Sequence, residues 1–196
     1  MQRRRFAVLA LILAPMFATS VAAIAGDGPA TTAATPAANA EAIARGGYLV
    51  RFGSCHDCHT PFTMGPKGPA PDMTRALSGH PGDMAVPPPP ELSGPWVWAG
   101  LATNTAFAGP WGISFTANLT PDPETGLGKW TEEMFIATIR TGRHQGVGRP
   151  VLPPMPVQVY ANMTDDDLKS VFAYLQSLTP VRNRVPAPID PPEESR

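Results

Sequence analysis

Cys55-His56-Asp57-Cys58-His59 decides how this chain is read. Both cysteines of the sequence fall in it. Two thiols three positions apart, with a histidine directly after the second, form the C-x-x-C-H signature of c-type haem attachment. The chemistry explains the spacing: each thiol adds to a different vinyl group of one haem, and the adjacent imidazole becomes an axial ligand of the iron. Cys55 and Cys58 are therefore the expected covalent anchors, His59 the expected iron ligand, and one covalent haem c the expected cofactor. A dithiol redox motif usually accompanies a βαβ pattern, which this sequence does not display. Structural zinc requires four ligands. The missing ones would have to come from His56, His59, His80 or His144, with no second paired motif to supply them.

Outward from that motif, composition sets the frame. A chain of 196 residues fits one domain with extras. A formal net charge of −1 gives no argument for a nucleic-acid partner, and none is expected. The 25 prolines and 18 glycines mean that much of the chain is loop, which argues against a large regular sheet. The core must then be modest, with a buried haem supplying apolar surface. Arg3, Arg4 and Arg5 followed by the apolar run Phe6 to Phe17 and the small-x-small site Ala23-Ile24-Ala25 read as an export signal. The expected location is the periplasm, by the general secretory route rather than the twin-arginine one. The alternative is an uncleaved anchor, the only circumstance in which membrane contact is expected. The organisation predicted is a signal peptide over 1–25, a disordered linker over 26–38, a haem domain over 39–180 and a flexible tail over 181–196. A Pro/Gly-rich insertion occupies 61–117 of that domain.

The predicted elements are helical, and the fold class expected is all-α. A first helix from near Asn39 to Phe52 places Ile43, Gly46 or Gly47, and Val50 on one face and feeds the chain into the haem motif. A second runs from Glu132 to Thr141, with Thr131 as N-cap, Gly142 as C-cap, and Phe135, Ile136 and Ile139 facing inward. A last helix runs from Asp165 to Leu178. Thr164 caps it, Pro180 stops it, and Leu168, Val171, Phe172, Leu175 and Leu178 form its apolar stripe. The insertion contains Pro87-Pro88-Pro89-Pro90, which must be extended. Trp96, Trp98, Phe107 and Trp111 argue that part of it packs. It reads as a surface wrap over one haem edge, with a docking surface as the other reading.

A second axial ligand remains to be found. Met155 stands in Pro153-Pro154-Met155-Pro156, between the second and last helices, where flanking prolines stiffen the backbone. A thioether there raises the potential of the iron. Met163 occupies a packing position before the Thr164 cap, Met134 lies inside a helix, and Met64, Met73 and Met84 belong to the insertion. His80 and His144 are rival ligands, and His144 could instead meet a haem propionate.

Three stretches carry a resemblance to the monohaem class I c-type cytochrome family, in its bacterial, dehydrogenase-associated form. They are Arg45-Gly46-Gly47-Tyr48-Leu49-Val50 with the haem motif through Thr60, Ala117-Asn118-Leu119-Thr120-Pro121-Asp122 through Trp130, and Pro154-Met155-Pro156 with Thr164 to Leu178. The resemblance implies a small cytochrome c-like helical domain around one covalent haem. It implies thioethers at Cys55 and Cys58 and iron held by His59 and Met155. It also implies that the first and last helices cross, with Gly46 near Tyr174. The function expected is periplasmic electron transfer without catalysis, as a carrier or as a subunit of a redox complex. The partners expected are periplasmic dehydrogenases, other cytochromes or an oxidase. Two alternatives stay open: a haem-based sensor or haem enzyme with a labile or open sixth site, and a haem-free zinc or dithiol module.

Overall fold

The structure is a computed structural model and describes residues 36–192; the expected signal peptide and most of the linker lie outside the described residues. Helix α1 (Pro36–Phe52) starts earlier than the expected Asn39. Proline is tolerated in a first helical turn because its missing N–H would have no intrahelical partner there. Helix α2 is the C-x-x-C-H motif itself (Cys55–His59). Helix α3 (Glu132–Thr141) has the expected caps: Thr131 Oγ1 accepts from Met134 N at 3.2 Å, and Gly142 adopts φ +65°. After the short helix α4 (Val157–Tyr160) comes α5 (Asp165–Gln176), whose cap Thr164 accepts from Asp167 N at 3.1 Å.

The first and last helices cross at Gly46. A Cβ placed there would fall on the Ser170 carbonyl and 2.8 Å from Tyr174 Cβ, so the crossing has no room for a side chain. Arg45 closes one edge of it, pairing with Asp167 at 2.9 Å. Val50 from α1, Phe135 and Ile139 from α3, and Leu168, Val171 and Leu175 from α5 then form one buried cluster. Leu77 and Leu127, both outside the helices, complete it.

The expectation of an all-α fold is overturned by two small antiparallel sheets inside the Pro/Gly-rich insertion. Strands β1 (Phe62–Gly65) and β2 (Gly68–Pro71) form a hairpin with Gly65 opposite Gly68. Strands β3 (Ala99–Gly100), β4 (Ala106–Gly109) and β5 (Gly112–Phe115) form a three-stranded meander. The physical reason is length and composition. No strand exceeds four residues, too few for a period-two pattern to show, and proline and glycine occupy several of the positions. Phe107 is buried, with Trp98 edge-on to it at 5.6 Å, while Trp96 is 73% exposed.

The tail also departs from expectation. Residues 181–192 are tied to the body of the domain by buried polar groups and backbone pairing. Asn183 is 7% exposed and hydrogen-bonded on every side-chain polar atom, and Ile189 pairs with Ile113 of β5 through two backbone hydrogen bonds. A polar, proline-rich segment needs no apolar stripe to dock when its backbone and amide side chains meet buried partners.

Candidate haem-binding site

Helix α1 ends in a tight corner at Gly53 and Ser54, where Gly53 N donates to Leu49 O at 2.7 Å and Ser54 turns left-handed at φ +55°. That corner starts α2 and brings Cys55, Cys58 and His59 onto a little over one helical turn. Both cysteines are unpaired. Burial raises both thiols, Cys55 to about 11, so each is held as the protonated thiol at neutral pH.

His59 is nearly buried, and its Nδ1 lies 2.8 Å from Ala117 O. A carbonyl can only accept, so Nδ1 carries the proton and Nε2 is left with its lone pair. Burial also depresses the pKa of this imidazole and keeps it neutral. A neutral imidazole with one nitrogen fixed by a carbonyl is the form that ligates a metal. The backbone of His59 is fixed as well, because Gly79 N donates to His59 O at 2.8 Å. Nearby, Thr60 Oγ1 lies 2.9 Å from His56 Nδ1 and accepts from Leu77 N. Asn104 Nδ2 donates to Asp57 O at 2.6 Å.

The Met155 loop is anchored at both ends. Ser114 Oγ of β5 donates to Pro153 O at 2.6 Å, and Tyr160 Oη of α4 donates to Gly53 O at 2.5 Å. The second bond carries the loop to the corner from which Cys55 emerges. Cys55 and Met155 pack against the same apolar cluster. Among the other described methionines, Met64, Met73, Met84 and Met134 are exposed, and Met163 packs on the core beside its cap. The residues present fit a covalently held haem: two unpaired thiols and a neutral, oriented imidazole on one turn, with a thioether on the shared apolar cluster.

The rival histidines lie in other surroundings, and Nε2 of His80 is buried without a hydrogen-bond partner. His80 is fully buried, with Nδ1 3.0 Å from Thr105 Oγ1 and its ring 4.9 Å from Phe115. His144 stands edge-on to Trp130 at 4.9 Å. Among the described residues, no three His, Cys, Asp or Glu side chains gather into a group able to hold a metal ion. Among the same residues no helix is long and apolar enough to cross a membrane. Sequence reasoning missed the Ala117 carbonyl, the Tyr160 hydroxyl and Leu77. The first is a backbone group, for which side-chain identity carries no signal. The second follows the Met155 loop closely and was legible only as an aromatic.

With this geometry the chain is similar in sequence to cytochrome c subunits of dehydrogenases. No family model matches it. One relative is a nicotinate dehydrogenase subunit of Pseudomonas putida, 31% identical over 172 residues, covering 88% of this chain and 12% of that protein. Another is the cytochrome c subunit of the quinone alcohol dehydrogenase of Gluconobacter oxydans, 29% identical over 147 residues, covering 74% of this chain and 23% of that subunit. The gluconate 2-dehydrogenase cytochrome c subunit of Pantoea cypripedii is 28% identical over 175 residues, covering 89% of this chain and 29% of that subunit. The chain thus spans less than a third of the length of each of these relatives.

Proposed function

We propose that this chain transfers electrons in the periplasm through a single c-type haem bound covalently by Cys55 and Cys58, with His59 and Met155 as axial ligands. It acts as a carrier or as the electron-transfer subunit of a redox complex. The likeness to dehydrogenase cytochrome subunits supports a periplasmic dehydrogenase as electron donor, with another cytochrome or an oxidase as acceptor. Residues 1–25 serve as the export signal.

The observation that carries the reading is the His59 hydrogen bond to Ala117 O on the same turn as both thiols. A bound haem would supply one-electron cycling between ferric and ferrous iron. The chain's own residues do the rest. Cys55 and Cys58 fix the group in place, and the Ala117 carbonyl holds the imidazole in one tautomer. Met155, packed against the apolar cluster, would be the second residue to hold the iron.

The test uses protein exported from cells that carry haem-attachment machinery. Wild type is expected to gain the mass of one haem and to show a low-spin spectrum with the far-red methionine–iron band. Met155→Ala is expected to lose that band and become high-spin. Identical spectra would remove Met155 from the ligand set and favour a sensor or enzyme with a different sixth site. Colourless wild type without the added mass would overturn the haem reading altogether.

A further inference from the structure

We propose that Asn183, in the tail, is a positioning residue for the iron-ligating histidine and acts through the loop over residues 77–82. The inference rests on the assignment of His59 as iron ligand. Asn183 places both donors of its amide and an acceptor site of its oxygen on that loop. Nδ2 donates to Ser78 O at 2.7 Å and to His80 O at 2.8 Å, and Oδ1 accepts from Gly82 N at 2.9 Å. Only a primary amide offers two donors and an acceptor at one side-chain end. The backbone of Asn183 is fixed from the other direction, where its N–H donates to Thr125 Oγ1 at 3.0 Å.

The loop that Asn183 grips is the one that holds His59 and its acceptor. Gly79 N donates to His59 O, His80 N donates to Thr116 O at 3.0 Å, and Leu119 N donates to Leu77 O at 2.8 Å. Between Thr116 and Leu119 lies Ala117, whose carbonyl takes the His59 Nδ1 proton in a hydrogen bond. Gly79, at φ +76°, is pressed so closely on Thr116 and Ala117 that a Cβ would strike their backbone atoms. Loop and strand exit are therefore in backbone contact, and a shift in one is passed to the other. A shorter Nδ1–H···O bond makes the imidazole a more basic ligand. Loosening it withdraws electron density from the iron and raises the reduction potential.

The experiment compares wild type, Asn183→Ala, Asn183→Ser and Ile189→Pro as haem-loaded proteins. It reads the reduction potential and, in the diamagnetic ferrous state, the hydrogen exchange of the His59 Nδ1 proton by NMR. Asn183→Ala is expected to speed exchange roughly tenfold, the factor implied by loss of about one hydrogen bond, and to raise the potential. Asn183→Ser keeps a hydroxyl for one partner, and intermediate values are expected. Ile189→Pro removes a tail hydrogen bond to Ile113 while leaving Asn183 in place; both readouts are expected at wild-type values. If both Asn183 variants keep wild-type exchange and potential, the residue only stabilises the fold and the inference is overturned. If Ile189→Pro shifts both readouts as Asn183→Ala does, tail loosening in general is responsible and the inference is again overturned. A wild-type ferrous spectrum with no haem-shifted His59 imidazole proton overturns ligation by His59, and the inference with it.

Discussion

The two sides of the C-x-x-C-H helix are held by opposite means. On the helical side Val50, Phe135, Ile139, Leu168, Val171 and Leu175 are buried against one another, and the contacts are apolar. On the other side the buried residues include Thr60, Ser78, His80, Thr105, Asn118, Thr120 and Asn183, joined by directional hydrogen bonds. Area-based packing is non-directional and tolerates exchange of one apolar side chain for another of similar volume. A hydrogen-bonded lattice is less tolerant, because loss of one member strands its partners without water. The helical side sets where α2 sits, and the polar side sets how the His59 ring is turned.

Mutations that break each side should differ in kind as well as in size. The largest effect is expected from Leu168→Ala, which removes a side chain that is 1% exposed from the first turn of α5. It should cost about 2–5 kcal/mol in denaturant unfolding, while Leu168→Met costs less than about 1.5 kcal/mol. Asn118→Ala is expected to cost less, about 1–3 kcal/mol, since it leaves Thr120 N without its acceptor and takes from Val181 O one of its two donors. An apolar residue of similar volume should not rescue it, and the same unfolding measurement on Asn118→Leu shows whether it does. If Asn118→Leu is as stable as wild type, the polar side is held by packing and the contrast fails.

The smallest effect expected is on pH dependence. Burial, with a lesser contribution from the Arg75 charge, holds the His80 pKa below its ordinary 6.5. The unfolded chain therefore takes up a proton at a pH where the folded one does not. Stability is full above about pH 6.5 and falls as the pH drops toward the folded-state pKa. When denaturation midpoints at about pH 7.5 and about pH 5.5, above and below the ordinary 6.5, are compared, His80→Phe should show a shallower loss than wild type. An equal loss would assign the acid sensitivity to other groups, of which His56 and His144 are shifted in the same direction.

The same contrast decides what was legible in the sequence. Helices α3 and α5 were readable because Thr131, Gly142 and Thr164 punctuate them and their apolar residues recur with helical spacing. Gly46 was legible as a close approach because a glycine inside a helix is costly without one. The strands were not, since β3 has two residues and the others four, interrupted by proline and glycine. The tail read as a solvated end because Asn183 looks like any polar loop residue until its three partners are seen. Cys55, Cys58 and His59 stood out through spacing. The Ala117 carbonyl beside them did not, because every residue carries such a group and only the folded backbone aims this one at His59.

The Gly46 crossing also constrains the order in which the domain can form. The Arg45–Asp167 pair at its edge joins positions 122 residues apart. Closing so long a loop costs entropy before any contact is returned, and contacts of this range form slowly. Helix α1, with a glycine pair inside its 17 residues, is marginal on its own in water. Until α5 has been made and has swung back, the segment carrying Cys55 and Cys58 sits on an open, reversible stretch of chain. In the folded domain burial raises both thiols and lowers their thiolate fraction, so they are most reactive before the crossing closes.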